Sequence, residues 1–367
     1  MTLELLFVGL WVRPVRIILR APTILKVTRM KSIRIHENGG PEVLRFEECE
    51  LPPPALAEVR VRHTAIAVNF SDVNVRRGGF YIAKPQRYPL IPGNEGAGVV
   101  TAVGSGSEEI LRGNNIAIGD RVAYVGSGGP FYENTGSYAE ERNLPARCLL
   151  KLPEGSPEEL AAALLLKGLT AAMVINRVYT PKQGDTILIH AASSGVGLLL
   201  TQWSKHLGAT VIGTVGSAEK ARIAQAHGCD HAILYRDTDF VAAVKKIVPK
   251  GVSAVFDGVG KDTFMASIDC VRRFGMLVNY GNASGHVPPV DLLLLAKKGS
   301  LSVSRPAFST YIEEPGEFQS ASSELFDLVK RGVLKVEISH RYALRDAAQA
   351  HRDLEGRIFP GSLILVP

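Results

Sequence analysis

The stretch DTILIHAASSGVGLLLTQ (residues 185–202) carries the first evidence about the fold. An apolar run rich in β-branched residues leads into small residues and then into a helix-like run, which predicts a strand, a tight turn and a helix start. Backbone N–H groups and the positive end of the helix dipole at such a turn can bind a pyrophosphate. Residues 192–197 keep only the last glycine of G-x-G-x-x-G, so an ordinary strand-to-helix turn remains the alternative.

Beyond this stretch, strand-like and helix-like patterns alternate as far as residue 282. This spacing predicts an α/β fold with a doubly wound parallel sheet, whose ligands bind at the carboxyl ends of the strands. The predicted strands are ATVIGTV (209–215), HAILY (231–235), VSAVFDGVG (252–260) and FGMLVNYGN (274–282), and the predicted helices are SAEKARIAQAHG (217–228) and DFVAAVKKIV (239–248). The residues expected at the ligand-binding ends are Gly216, Asp257, Gly258, Val259, Asn279, Tyr280 and Gly281.

The residues after strand 209–215 distinguish the two nicotinamide cofactors. NAD-binding units place a carboxylate there to hold the ribose 2′-hydroxyl, whereas this chain has Gly216 and Ser217. Lys220, Tyr235 and Arg236 lie where they could bind a 2′-phosphate instead. A solvated helix lysine is the alternative for Lys220, but Tyr235 and Arg236 together favour NADPH.

Composition limits the possible partners. A chain of 367 residues with 46% apolar residues is long enough for two domains with full cores. The net charge is +6, but residues 1–29 contain five basic residues and one acid, so the rest carries only +2. Neither nucleic acid nor an anionic membrane is therefore indicated. The four cysteines show no C-x-x-C spacing, which is typical of a reducing compartment, and we expect a cytoplasmic protein.

Residues 1–29 differ in composition from the rest and form an N-terminal extension. Their longest uncharged run, 5–12, is too short to span a bilayer, and their positive charge follows the apolar part instead of preceding it. A mitochondrial presequence is one interpretation. We favour a functional chain that starts at Met30, with an upstream segment that is disordered or not translated in the cell.

The segments on either side of the parallel-sheet pattern are different in kind. Short alternating runs from Met30 onward predict a compact antiparallel barrel, and residues 156–179 predict a long helix leading into the nucleotide-binding part. Leu301–Ser304 could be a sixth, edge strand of the parallel sheet, which makes a symmetric dimer through that edge plausible. The tail predicts two helices around a strand, and SLILVP (362–367) is expected to return to the barrel.

Several stretches together resemble the medium-chain dehydrogenase/reductase superfamily, and within it the zinc-free quinone oxidoreductases of the zeta-crystallin type. The resemblance covers nearly all of residues 30–367. It implies a GroES-like β-barrel catalytic domain (30–158 and 302–367) and a Rossmann NADPH-binding domain (159–301). The stretches are GGPEVL (39–44), NFSDVNVRRGGFY (69–81), PLIPGNEGAGVVTAVG (89–104), GDRV (119–122), LKGLTA (166–171), HAASSGVG (190–197), GTVGSAEKA (213–221), GNASG (281–285) and KGSLSVSRP (298–306).

The resemblance also indicates which features are missing. Zinc enzymes of the superfamily place a cysteine where this chain has Asn69 and a G-H-E motif where it has residues 93–95, Gly-Asn-Glu. Amide side chains are poor zinc ligands, so no metal is expected. NADPH would then deliver hydride equivalents to a quinone, an acceptor that becomes aromatic on reduction and needs no Lewis acid.

Site residues follow from the resemblance one by one. Asn69 and Asp72 would lie near the nicotinamide, and Tyr81 would line the pocket and donate to a substrate carbonyl; the alternative for Asn69 and Asp72 is to cap a helix. Lys167 and Thr170 would lie beside the cofactor cleft, although Lys167 could be a snorkelling lysine. The other expected cofactor contacts are Ser194, Gly195, Val196, Gly197, Gly216, Ser217, Lys220, Tyr235, Arg236, Val259, Tyr280 and Gly281.

Other positions carry structural alternatives or depart from the family. Asp257 could simply hold a turn, and His190 is expected to be a satisfied core histidine. Many relatives have an aromatic residue where this chain has Asn74, and the loop GGFY (78–81) is one residue longer than their form.

Two other functions compete with quinone reduction. Enoyl-thioester or alkenal reductases share the superfamily and an N-x-S-D-x-N segment, matched here at Asn69, Ser71, Asp72 and Asn74, and such an enzyme needs a placed proton donor such as Tyr81. A non-catalytic, NADPH-binding and RNA-binding protein of the zeta-crystallin type is the second. RNA binding would require a basic stripe with aromatic platforms, and only small patches at 59–63 and 74–81 are present.

Overall fold

The computed structural model of the chain describes residues 27–78, 87–126 and 134–367. Among these residues, no helix combines the length and the apolar character needed to cross a membrane. The strands are β1 (Thr28–Arg34), β2 (Arg45–Leu51), β3 (Glu58–Val68), β4 (Glu95–Val103), β5 (Arg121–Val125), β6 (Glu141–Pro145), β7 (Leu150–Lys151), β8 (Thr186–Ile189), β9 (Thr210–Val215), β10 (His231–Leu234), β11 (Val252–Asp257), β12 (Val271–Asn279), β13 (Ser302–Ser304), β14 (Ile338–Ala343) and β15 (Ser362–Val366). The α-helices are α1 (Phe70–Arg77), α2 (Glu108–Gly113), α3 (Glu158–Ala172), α4 (Gly195–His206), α5 (Ala218–Ala226), α6 (Phe240–Ile247), α7 (Phe264–Ile268), α8 (Leu292–Lys297), α9 (Phe308–Glu313), α10 (Glu317–Lys330) and α11 (Ala347–Glu355).

A six-stranded parallel sheet forms the nucleotide-binding half, in the order β10-β9-β8-β11-β12-β13. Its central strands are apolar runs buried on both faces, and all six residues of β11 are buried. The predicted doubly wound sheet is confirmed. The predicted domain boundary at residue 302 would assign β13 to the other domain, but β13 pairs with β12 at the edge of this sheet.

The second large sheet has the order β14-β15-β3-β4-β5-β7, with β6 also paired to β3 and a separate hairpin formed by β1 and β2. The return of the last strand is confirmed, because β15 pairs with β3. One pairing differs from the predicted antiparallel barrel, since β14 and β15 run parallel. The reason is that α11 separates them in sequence, and a crossover helix brings two strands into parallel register.

Helix α3 joins the two halves. It packs against β3, β4 and β5 of one sheet and against α4 and α10 of the other half, and one apolar cluster runs through all of these elements. The helix predicted over 156–179 ends as α-helix at Ala172 and continues as a π-helical turn, Met173–Val178. Gly168 allows α10 to approach closely, because an added Cβ would lie 2.8 Å from Leu325 Cδ1.

We expect Leu325→Ala to lower the free energy of unfolding by about 2–5 kcal/mol, because this fully buried side chain fills the contact between α10 and α3. Urea denaturation followed by circular dichroism measures the change. Leu56→Ala, at a side chain that is 75% exposed, is the control and should change the free energy by less than about 0.5 kcal/mol. Equal effects of the two substitutions would contradict the packing described for α3.

Candidate active site

The turn between β8 and α4 has the geometry of an anion-binding helix start. Ser194 precedes α4 and its Oγ accepts the Gly197 N–H at 3.1 Å. The N–H groups of Gly195 and Val196 lie in the first turn, where a helix offers no internal acceptor. A Cβ on Gly197 would lie 2.2 Å from the Ala191 carbonyl oxygen, so glycine is required for α4 to pack on the turn.

Lys167 lies directly against this helix start. An ideal Cβ on Gly195 would be 2.5 Å from Lys167 Cδ, so only glycine leaves room for the lysine chain. The Lys167 ammonium then reaches Asn69, donating to its Oδ1 at 2.7 Å. A cation is therefore held between the start of α4 and the end of β3. The role of Lys167 beside a cofactor stays a prediction.

Asn69 is clamped from both sides. Its Nδ2 donates to Glu95 Oε2 at 2.9 Å while its Oδ1 accepts from Lys167. Because a carboxylate accepts and an ammonium donates, the orientation of the Asn69 amide is fixed. Glu95 is anchored in turn, since its Oε1 accepts the Leu166 N–H of α3 at 2.6 Å. Sequence reasoning named Glu95 only within the altered zinc motif, and its role here was missed.

Burial dominates the electrostatics of this cluster. It raises the pKa of the fully buried Glu95 to about 7, against the opposing influence of Lys167. Burial also lowers the pKa of Lys167, while the nearby Glu95 and Asp72 charges oppose that shift. The ammonium donates to a neutral amide. The Lys167 ammonium has further N–H groups that can donate hydrogen bonds to an anionic or carbonyl oxygen of a ligand.

Asp72 is enclosed by protein groups beside Asn69. It is fully buried, and its Oδ2 accepts the Asn69 N–H at 2.9 Å and the Tyr138 hydroxyl at 3.1 Å. Burial raises the pKa of Asp72 to about 6, and these hydrogen bonds limit the rise. The carboxylate thus holds the Asn69 N–H at the start of α1, as in the capping alternative.

The far end of the cleft is cationic. Gly216 and Ser217 follow β9, and a Cβ on Gly216 would lie 3.2 Å from Tyr235 Oη and 3.5 Å from Arg236 Nε. Ser217 Oγ accepts the Lys220 N–H at 3.3 Å and caps α5. The structure therefore brings together the residues predicted for the 2′-phosphate.

Arg357 is the residue that sequence reasoning missed at this end. Its Nη1 donates to Tyr235 Oη at 3.4 Å, and its carbonyl oxygen accepts a hydrogen bond from Lys220 Nζ. Burial, with the positive charges of Arg236 and Arg357, lowers the pKa of Lys220. Partial burial alone would raise the pKa of Tyr235, but hydrogen bonds from the two arginines lower it overall. Both shifts indicate a concentration of positive charge suited to an anion.

Of the remaining predicted residues, Val259, Tyr280 and Gly281 lie along the carboxyl edge of the parallel sheet and Thr170 lies on α3. Val259 follows β11, where its N–H donates to Asp257 Oδ1 at 2.8 Å, so Asp257 does hold the turn. Tyr280 and Gly281 follow β12. The Tyr280 ring packs against Gly258, because a Cβ added to Gly258 would lie only 2.7 Å from Tyr280 Cε2. Thr170 is half-buried on α3 and its Oγ donates to the Leu166 carbonyl at 2.7 Å.

Two further predictions have different outcomes. His190 is a satisfied core histidine as predicted, because its ring nitrogens contact Thr214 Oγ at 3.0 Å and Ser267 Oγ at 2.8 Å. Tyr81 lies outside the described residues, so its place in the pocket stays a prediction. In the described part of the chain, no three His, Cys, Asp or Glu side chains are grouped so as to hold a metal ion.

Comparison with known proteins decides the family. The zinc-binding dehydrogenase model matches residues 195–326, and the alcohol dehydrogenase GroES-like domain model matches residues 56–154. The quinone oxidoreductase of Pseudomonas aeruginosa is 44% identical over 341 residues, which cover 92% of this chain and 99% of that protein. The chain belongs to the quinone oxidoreductase family.

Two further relatives are similar to this chain over most of its length. The Escherichia coli quinone oxidoreductase, solved as a complex with NADPH, superimposes with a TM-score of 0.84 at 41% identity, covering 92% of this chain and all of that chain. The 2-haloacrylate reductase of a Burkholderia species is 40% identical over 337 residues, or 91% of this chain and 98% of that protein. The predicted zinc-free medium-chain family and the GroES-like and Rossmann fold class are confirmed.

Proposed function

We propose that this chain is an NADPH-dependent quinone reductase that works without zinc. The observation that carries the proposal is the cationic cluster of Lys220, Tyr235, Arg236 and Arg357 around Gly216, at the place where an NAD-binding sheet would present a carboxylate. Three cations and a hydroxyl with a lowered pKa fit a 2′-phosphate. A ribose with only a 2′-hydroxyl would leave these positive charges without an anion to balance them. The NADPH complex of the Escherichia coli relative supports the same choice.

The cofactor would lie along the carboxyl edge of the parallel sheet. The turn before α4 would bind the pyrophosphate, and the residues after β11 and β12 would flank the path toward α3. NADPH supplies a hydride at its nicotinamide ring. The residues proposed to contact it are Lys167, Thr170, Ser194, Gly195, Val196, Gly197, Gly216, Ser217, Lys220, Tyr235, Arg236, Val259, Tyr280 and Gly281, to which the geometry adds Arg357.

The reacting end is proposed at Asn69 and Lys167. The clamped amide and the buried ammonium would orient the nicotinamide end and stabilise negative charge that develops on a quinone oxygen. Asp72 would fix the backbone of Asn69, and Tyr81 keeps its proposed role in the pocket. Because a quinone becomes aromatic on reduction, positioning and charge stabilisation suffice.

Reduction of an electron-poor carbon–carbon double bond is the second candidate. It is favoured by the 40% identity to 2-haloacrylate reductase and by the N-x-S-D-x-N segment, whose first residue is the clamped Asn69. A double bond requires a proton at carbon, so this chemistry depends on a placed acid such as Tyr81.

An acceptor panel separates the two candidates. NADPH oxidation is followed with an ortho-quinone, a para-quinone, 2-chloroacrylate and a short enoyl thioester, each with wild type and Tyr81→Phe. We expect turnover of the quinones that survives the substitution. Turnover of the acrylate or thioester alone, lost in Tyr81→Phe, would assign the chain to double-bond reduction; tight NADPH binding without any turnover would favour a non-catalytic module.

The assembly and location are also proposals. We propose a homodimer through the edge strand β13, because Val303 of β13 is 39% exposed and Phe274 of the neighbouring β12 is 82% exposed. The described cysteines are all free, which supports a reducing compartment, the cytoplasm. The mitochondrial alternative depends on residues 1–29, most of which lie outside the described range.

We expect Phe274→Asn to weaken the dimer. Phe274 has a left-handed backbone (φ 57°), which asparagine tolerates, so the change removes exposed apolar area without adding strain. Light scattering across a dilution series should show half the dimer mass at concentrations where wild type is still dimeric. The control is Met265→Asn, at a side chain that is 41% exposed on α7, a helix that is not part of the sheet edge. An unchanged mass for Phe274→Asn at every dilution would contradict this interface.

A further inference from the structure

A buried chain of hydrogen bonds connects Arg76 of α1, through His351 of α11 and Tyr138, to Asp72. Arg76 Nη1 donates to His351 Nδ1 at 3.1 Å, His351 Nε2 lies 2.9 Å from the Tyr138 hydroxyl, and that hydroxyl donates to Asp72 Oδ2 at 3.1 Å. Because a guanidinium can only donate, His351 Nδ1 must accept and the ring proton is on Nε2. Every bond in the chain therefore points toward the carboxylate.

Each member of this chain is held inside the protein. His351, Tyr138 and Asp72 are fully buried, and Arg76 is 1% exposed. Arg76 is fixed in turn by Glu355, whose two carboxylate oxygens it contacts at 3.0 and 2.9 Å. Burial, together with Arg76 and Arg77, lowers the pKa of His351 to about 3, so the ring stays neutral and keeps this tautomer at neutral pH.

We propose that Tyr138 and His351 are positioning residues for the reaction: they hold the Asp72 carboxylate, and through it the backbone of Asn69, at the reacting end of the cleft. The inference rests on the proposed function. The hydrogen bonds run from Tyr138 through the Asp72 carboxylate to the Asn69 N–H. The last long helix before the C-terminal strand is thereby coupled to the start of α1.

The coupling predicts a pH dependence. Within the described part of the chain, the groups that face Asp72 are Lys167 from α3, Glu95 from β4, Tyr138 from the segment before β6, and Ser71 and Asn69 beside it. With a pKa of about 6, Asp72 is ionised above that pH and loses its charge below it. Loss of the charge weakens the hold on Asn69. The Tyr138 hydroxyl favours the ionised form, so its removal raises the pKa of Asp72.

The test compares Tyr138→Phe with Tyr124→Phe. Tyr124 is an equally buried tyrosine whose hydroxyl contacts a histidine, His63 Nε2, at 2.7 Å, but it lies outside the chain to Asp72. In Tyr138→Phe we expect the acid-side midpoint of kcat to move up by about one pH unit while the KM for NADPH stays unchanged. Glu95, with a pKa of about 7, titrates in the same pH range as Asp72. The quantity to compare is therefore the difference in the kcat midpoint between each variant and wild type. Tyr124→Phe should keep the wild-type midpoint.

Substitution of the histidine supplies a second arm. His351→Gln keeps an N–H donor toward Tyr138 and should stay close to wild type, whereas His351→Leu should move the midpoint in the direction of Tyr138→Phe. Equal profiles for all four variants would overturn the proposal. A shift in Tyr124→Phe as large as in Tyr138→Phe would overturn it too, because the effect would then come from general loosening.

A measurement without substrate separates this inference from the proposed function. The carboxyl carbon of Asp72 is titrated by NMR in ¹³C-labelled protein and assigned by its loss in Asp72→Asn. If Tyr138→Phe raises this midpoint while wild type fails to reduce any quinone, the proposed function is wrong and the coupling to Asp72 stands. If wild type reduces quinones and the midpoint does not move, the coupling is wrong and the proposed function stands.

Discussion

Arg357→Ala is expected to weaken NADPH binding by about 10- to 100-fold and to leave NADH binding unchanged. The side chain donates to Tyr235 and adds one of three positive charges around the proposed 2′-phosphate site. The Arg357 carbonyl, which accepts from Lys220, is retained in the variant, so Lys220 keeps its anchor. The loss should therefore come from the missing guanidinium.

Calorimetric titration with each cofactor measures this effect. Arg331→Ala is a suitable control, because Arg331 is an exposed arginine that pairs with Asp327 on the surface of α10. We expect the control to bind both cofactors as wild type does. An equal loss of affinity for NADPH and NADH in Arg357→Ala would contradict the placement of the 2′-phosphate at this cluster.

Glu95→Gln is expected to lower kcat by about 100-fold while the protein stays folded. Glu95 accepts two hydrogen bonds, from the Leu166 N–H and from Asn69 Nδ2. A glutamine can accept only one of them, and its NH₂ group would face the NH₂ group of Asn69. If the Asn69 amide turned over to avoid this contact, its NH₂ would face the Lys167 ammonium, so the cluster loses its geometry in either arrangement.

The stability of Glu95→Gln provides the check on folding. The pKa of Glu95 is raised from 4.5 to about 7, so its contribution to stability is present at low pH and is lost as the pH rises through 7. Glutamine does not titrate, so as the pH rises from 5 to 8 wild type should lose this contribution and Glu95→Gln should not. The difference in free energy of unfolding should therefore shift in favour of the variant over this range. Glu141→Gln, at a side chain 19% exposed that pairs with Arg60, is the control for kcat. Wild-type kcat in Glu95→Gln would contradict the clamp on Asn69.

Local patterns predicted most of the fold. The strands β8 to β12 and the helices α4, α5 and α6 each have a recognisable apolar pattern, whereas the short helix α7 was not predicted. The helices α4 and α5 are preceded by Ser194 and Ser217, which are typical capping residues. The parallel pairing of β14 and β15 was not predicted, because their pairing depends on how α11 packs and not on either strand's own pattern.

The site could be predicted only where its residues lie next to a motif. Tyr235 and Arg236 follow a strand end, so their place in the sheet follows from the topology. Arg357 reaches the same cluster from a turn after α11, far along the chain, and no local signal connects it to Tyr235. Tyr138 and His351 were missed for the same reason, since they reach Asp72 from two distant parts of the chain, the segment before β6 and helix α11.

The most direct test of the proposed activity is the initial rate of NADPH oxidation with a para-quinone, measured beside NADH under the same conditions. We predict rapid oxidation of NADPH, one hydroquinone formed for each NADPH consumed when two electrons are transferred together, and a much lower rate with NADH. A protein that binds NADPH but leaves every quinone unreduced, or one that uses both cofactors equally well, would contradict the function proposed here.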